Sequence, residues 1–131
     1  VAIKPGKPIA LGCVAGTPFL GLPGNPVAVF VGFAFLARPL LARLAGEAYR
    51  PPAARPVRLG FSHARKPGRR EFLRVSLEPA AEGWVARRHP GEGAGSLASL
   101  SQSDGLVVLA EDVGRVDVGD EALFLPYAEL F

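Results

Sequence analysis

The segment Tyr49-Arg50-Pro51-Pro52-Ala53-Ala54-Arg55-Pro56 constrains this chain more than any other stretch. Three prolines remove three backbone donors and fix three φ angles, which interrupts regular structure there. It has no hydrophobic period and is assigned as a linker over residues 49–55, joining two units of different character. The 131 residues suffice for one domain or two small pieces. A hydrophobic fraction of 49% provides for a core, and 16 glycines with 13 prolines favour strands and turns over a helical bundle.

Before the linker, residues 9–13 and 17–22 read as two short strands separated by Val14-Ala15-Gly16. Leu22-Pro23-Gly24-Asn25-Pro26 then forms a loop in which Asn25 suits an N-cap and Pro26 the first helical position. The spacing predicts a helix from there to about Leu44, closed by Gly46. Pro39 cannot donate within that helix, so a kink or tightened turn is expected near Phe35. Gly32 would either admit a second backbone or merely weaken the helix. The apolar run Val27–Ala37 reads as a buried helix, too short to span a bilayer and followed by Arg38 and Arg43.

After the linker the period changes to two. Val57-Arg58-Leu59, Glu71 to Leu77 and Trp84 to Arg88 alternate, and Leu106 to Leu109 and Glu121 to Leu125 are short apolar runs. Turns fall at Pro67-Gly68, Glu82-Gly83, Asp104-Gly105 and Gly119-Asp120. The expectation is a small all-β unit over residues 56–131, of roughly five to six strands, with one helical turn around Ser96 to Ser101.

The net charge of +3 conceals segregation: residues 1–50 sum to +4, residues 51–90 to +6 and residues 91–131 to −7. A basic middle invites an anionic partner, or its charges simply meet the acidic end in the fold. One cysteine, Cys13, excludes a disulfide framework and a multi-cysteine zinc site; in its apolar strand it is expected to pack. His63 and His89 form no ligand-spaced pair. No signal peptide is visible, and a cytoplasmic location is expected.

Four stretches can carry chemistry. Lys4-Pro5-Gly6-Lys7-Pro8 holds two of the chain's three lysines around a Pro-Gly turn, a pair of point charges suited to an oxyanion or simply an exposed basic turn. The loop Pro23, Gly24, Asn25, Pro26 would leave the first helical N–H groups free at the positive end of the dipole, although good capping explains it equally. It is neither a P-loop nor a dinucleotide fingerprint. In Arg69 to Arg74, strand alternation puts Arg70, Phe72 and Arg74 on one side and Arg69, Glu71 and Leu73 on the other. Basic residues interleaved with one aromatic could touch nucleic acid, a weak signal because no aromatic platform accompanies them, and an arginine clamping a small oxyanion is equally compatible. Gly91 to Leu100, with three glycines in its first five residues, reads as a loop at a site, an interface or a hairpin tip.

Taken in order, Ile3-Lys4-Pro5-Gly6-Lys7-Pro8, Gly21 to Val27, Arg38-Pro39, Arg69 to Arg74, Leu97 to Leu100 and Asp104-Gly105-Leu106 resemble the C-terminal part of the molybdopterin molybdenumtransferases, the MoeA family that includes the gephyrin E domain. The resemblance covers the whole chain. It implies that residues 1–48 are the last part, strands and helix, of an α/β molybdopterin-binding-like domain, and that residues 56–131 are a barrel-like C-terminal β domain. It further implies molybdenum cofactor biosynthesis: molybdate is inserted into adenylylated molybdopterin, with Mg²⁺, and AMP is released. Lys4, Lys7, Pro8 and Arg69 would then hold molybdate or the pterin phosphate, with Pro23, Gly24, Asn25 and Pro26 as an anion-binding loop.

The same resemblance implies a homodimer, a molybdopterin adenylyltransferase as partner, and no nucleic acid or membrane. Ala28 departs from the family's serine in Pro-Gly-Asn-Pro-Val-Ser, and Gly91-Glu92-Gly93-Ala94 departs from its Gly-Gln-Gly-Ser. The family's Thr-Gly-Gly nucleotide region and acidic Mg²⁺ ligands fall upstream of Val1, so no catalytic residue is assigned here and the chain alone is expected to be inactive. The alternatives are a non-catalytic truncated relative and a gephyrin-like scaffold that binds peptides.

Overall fold

The computed structural model describes residues 1–90 and 97–131; the glycine-rich stretch singled out in the sequence, with Glu92 and Ala94, lies outside the described residues up to Ser96. The chain begins with a short strand β1 (Ile3–Lys4), then a hairpin of β2 (Ala10–Val14) and β3 (Thr17–Gly21). A helix follows in three parts: α1 (Pro26–Gly32), a π-helical turn (Phe33–Ala37) and α2 (Arg38–Leu44). Beyond the proline-rich stretch come β4 (Arg55–Leu59), β5 (His63–Ala64), β6 (Arg70–Ala80) and β7 (Gly83–Arg88). The chain ends with α3 (Leu97–Ser101), β8 (Gly105–Leu109), β9 (Arg115–Val116), β10 (Glu121–Pro126) and a 3₁₀ turn at Tyr127–Glu129.

Five of these strands close into a barrel in the order β6-β7-β4-β10-β8, with β8 pairing back onto β6. Closure leaves no free edge among those five, paired antiparallel except for β4 with β7, which answers the aggregation hazard of a small open sheet. The alternation seen in the sequence is the inside and outside of this barrel. Val57, Leu59, Leu73, Val75, Ala86, Val107, Leu109 and Phe124 fill the interior. Leu106 and Leu125 point outward yet are also buried, because the helix covers them; this is why Leu106–Leu109 is a continuous apolar run rather than an alternating one. At the start of β8, a side chain on Gly105 would run into the Leu125 carbonyl and the Phe124 ring, so only glycine fits.

The helix begins as its sequence predicts. Asn25 is in extended conformation, and its Oδ1 accepts from the Val27 and Ala28 N–H groups at 3.1 and 3.3 Å. The helix ends in a Schellman arrangement, with Glu47 N–H on the Ala42 carbonyl, Gly46 N–H on Arg43, and Gly46 at φ 76°. Near Pro39 the backbone widens instead of tightening. The Arg38 N–H reaches back five residues to the Phe33 carbonyl, making a π turn that gives the proline ring room above the preceding turn. At Gly32 the close neighbours are side chains and not a second backbone: a Cβ there would strike Ile9 and Leu22.

One face of the helix docks on the outside of the barrel. Val31 and Ala34 pack with Phe72, Leu106, Leu125 and Leu130, and the Phe35 ring stacks on Phe72 at 4.5 Å. Arg38 donates to the Leu130 carbonyl and lies over the Phe131 ring. The full helix, Pro26–Leu44, is 19 residues and is long and apolar enough by composition to cross a membrane, longer than the apolar run read from sequence. It is buried on one face only: Leu41 and Leu44 are exposed. Cys13 is likewise exposed, on a hairpin whose Leu11, Val14 and Phe19 also face outward, contrary to the packing expected of it.

Candidate functional site

The parallel register of β1 on β6 sets Ile3 beside Arg70 and Lys4 beside Glu71. The Lys4 ammonium reaches Glu71 Oε2 at 3.1 Å, and His63 Nε2 lies 2.5 Å from the other carboxylate oxygen, Oε1. Glu71 is only 2% exposed, the one buried acid among the described residues. Burial by itself raises its carboxyl; the hydrogen bonds from His63 and Lys4, with the charge of the Lys4 ammonium, outweigh that and hold it below its ordinary value. His63 is held in this position by the pairing of β5 with β9, His63 opposite Val116. Its Nδ1 lies 3.1 Å from Arg88 Nη1. A guanidinium only donates, so Nδ1 accepts and the proton sits on Nε2, facing Glu71.

Beside this ion pair lies a pocket of about 120 Å³ lined by Lys4, Ala64, Arg65, Lys66, Arg69 and Glu71. Its four cations are not equivalent. Arg65 donates from both terminal nitrogens to backbone carbonyls, Arg69 and Ala110, and so braces the loop that carries Arg69. Its Nε is buried with no partner among the described residues. Arg69 is half-buried, and its guanidinium makes no hydrogen bond or ion pair among the described residues. The arrangement offers an anion a planar fork from Arg69 and point charges from Lys4 and Lys66.

A second cavity of about 220 Å³ adjoins the first, sharing Lys4 and Glu71 and adding Pro5, Val27, Arg74 and Arg88 among its walls. A larger one, about 500 Å³, lies between α2 and residues 47–50 and shares no residue with either. The structure thus brings Lys4 and Arg69 together. Lys7 and Pro8 sit on the exposed turn after Gly6 and are not among the residues lining the basic pocket. In the Pro23–Pro26 loop, the helical N–H groups expected to be free are taken by Asn25 Oδ1, so the loop is a capped helix start. Val27, one residue on, is what reaches the second cavity.

The expected face of Arg70, Phe72 and Arg74 is also accounted for within the fold. Arg70 pairs with Glu111 at 3.2 Å, Phe72 is under the helix, and Arg74 donates to Ser99 Oγ. Basic middle and acidic end therefore meet, as one of the two charge readings anticipated. Sequence reasoning missed Arg65 and Lys66, although Arg65-Lys66-Pro67-Gly68-Arg69-Arg70 is visibly cation-rich around a turn. It also missed His63 and Glu71, which no local pattern connects. The described residues do not fit a magnesium ion: no group of three His, Cys, Asp or Glu converges, and Glu71 is already engaged by Lys4 and His63.

Comparison with known proteins bears on the whole arrangement. A family model described as MoeA C-terminal region (domain IV) matches residues 56–127. A molybdopterin molybdenumtransferase of Haemophilus influenzae is 32% identical over 133 residues, covering 99% of this chain and 33% of its own length. Molybdopterin molybdenumtransferase 2 of Mycobacterium tuberculosis is 35% identical over 123 residues, covering 92% of this chain and 29% of its own. A crystal structure of a MoeA protein from Pyrococcus horikoshii superposes with a TM-score of 0.71 at 34% identity, covering 96% of this chain and 30% of that one. A molybdenum cofactor biosynthesis protein of Pyrococcus furiosus gives a TM-score of 0.72 at 27% identity, covering 97% of this chain and 44% of that one. The chain spans about a third of the length of the curated relatives it matches. With more than half of its residues inside the family model, and the closed barrel those residues build, the chain belongs to the MoeA C-terminal region (domain IV) family.

Proposed function

We propose that this chain forms the oxyanion-holding part of a molybdopterin molybdenumtransferase and acts in molybdenum cofactor biosynthesis. The observation that carries the reading is the small basic pocket in which Lys4, Lys66 and Arg69, the last without a partner among the described residues, converge. Molybdate, the substrate, is a tetrahedral dianion. Arg69 supplies two parallel N–H donors to two of its oxygens, and Lys4 and Lys66 offset its charge from the sides. Such fixed cations are oriented before the anion arrives and need no proton transfer. They lower the repulsion as molybdate meets the phosphate-bearing adenylylated molybdopterin, whose adenylyl group leaves as AMP. No step is assigned to magnesium on these residues.

In the same reading residues 1–48 are the last part of a molybdopterin-binding-like α/β domain. Two observations support this: the relatives are about three times longer, and Leu11, Val14 and Phe19 on the β2–β3 hairpin are exposed, as expected of strands that continue a larger sheet. The whole enzyme, a homodimer supplied by a molybdopterin adenylyltransferase, would carry the catalysis. Isothermal titration with sodium molybdate tests the pocket. The reading predicts binding that weakens about tenfold or more when Arg69→Ala removes the guanidinium fork. Equal binding by the wild-type chain and a Lys4→Ala/Arg69→Ala variant contradicts it.

A further inference from the structure

Lys4 is long, unbranched and half-exposed, and both basic cavities claim it as wall. An ammonium on so flexible a stem has considerable rotamer freedom, which binding an anion would have to remove. The structure removes it beforehand through a run of four groups. Arg88 Nη1 donates to His63 Nδ1, His63 Nε2 donates to Glu71 Oε1, and Lys4 donates to Glu71 Oε2. The direction of donation is set at one end by Arg88, which cannot accept, and it runs inward to a carboxylate that only accepts.

We propose that His63 and Glu71 are positioning residues that fix the Lys4 ammonium on the wall shared by the two cavities. The inference rests on the oxyanion-binding reading of that pocket. A carboxylate beside an anion site is electrostatically unfavourable in isolation. Here it is matched on one side by Lys4 and satisfied on the other by a neutral imidazole, so it orients a cation without presenting a bare negative charge. His63 is the member that makes this work, because it uses up the second carboxylate oxygen while adding no charge. An imidazole with its proton on Nδ1 instead would point an N–H at Arg88 and a lone pair at Glu71, losing both contacts.

Two measurements on the 131-residue chain test this. Long-range ¹H–¹⁵N correlation of the wild type is expected to show the His63 proton on Nε2 and a bare Nδ1; a proton on Nδ1 overturns the proposal whatever the anion does. Molybdate titration is expected to weaken about tenfold for His63→Phe and to recover to within about twofold for His63→Gln, which restores an N–H donor toward Glu71. Unchanged affinity in His63→Phe, or equal loss in His63→Phe and His63→Gln, overturns the positioning role. A wild-type chain that takes up no molybdate instead sinks the binding reading itself, which keeps the two failures apart. Should His63→Phe not fold, the tautomer of the wild type still decides.

Discussion

Lys4 and Glu71 are register partners on parallel strands, and their side chains meet at 3.1 Å, so one backbone pairing both attaches the first strand to the barrel and builds the wall of the basic pocket. The pairing joins the two units that the proline-rich segment separates in sequence.

That ion pair makes stability fall at acid pH in a defined way. The folded Glu71 carboxyl lies below its ordinary value of 4.5, so its contribution is fully present above that value and is lost as pH falls through the folded value. Thermal melts between pH 7 and pH 3 are expected to show wild-type Tm dropping more steeply below about pH 4.5 than Glu71→Gln does. Parallel curves would remove Glu71 from the acid response.

The start of β8 leaves no space for a methyl group between the Leu125 carbonyl and the Phe124 ring. Gly105→Ala is expected to cost about 1–3 kcal/mol by overpacking. A urea titration should show a lower midpoint with an unchanged slope.

Phe72 is the point where helix and barrel are joined, through its stacking on Phe35. Phe72→Ala is expected to cost about 3–5 kcal/mol. Hydrogen exchange should quicken more in residues 26–44 than in the barrel strands, because the helix loses its anchor while β6 keeps its ladder. Uniform loss of protection would mean helix and barrel unfold as one unit.

Asn25 caps the helix by accepting two backbone N–H groups. Asn25→Ala is expected to destabilise by about 1 kcal/mol, and Asn25→Ser by much less. An equal loss for both would show that the side chain acts through something other than its acceptor oxygen.

Local signals made much of the fold legible. The Asn25-Pro26 start, the Gly46 stop and the alternation of Val57 with Leu59 each depend on a few neighbouring residues. What stayed hidden depends on distant ones. The two-residue strands β1, β5 and β9 are too short for any period, and the pairing of β1 on β6 is a contact across more than sixty residues of sequence. The site divided the same way. Lys4 and Arg69 were visible as cations beside turns, but only the barrel shows that Arg65 is committed to backbone carbonyls while Arg69 has no partner among the described residues. The widened turn before Pro39 could go either way on sequence, since both a tighter and a looser turn relieve the proline.

The central claim is that the pocket lined by Lys4, Arg65, Lys66 and Arg69 holds a tetrahedral oxyanion. Anomalous diffraction from crystals soaked in tungstate, a heavier analogue of molybdate, locates such an anion directly. The account predicts a tungsten peak within hydrogen-bonding reach of the Arg69 guanidinium and the Lys4 ammonium, absent from crystals of Arg69→Ala. A peak only at the Pro23–Pro26 loop, or an unaltered peak in the variant, would contradict it.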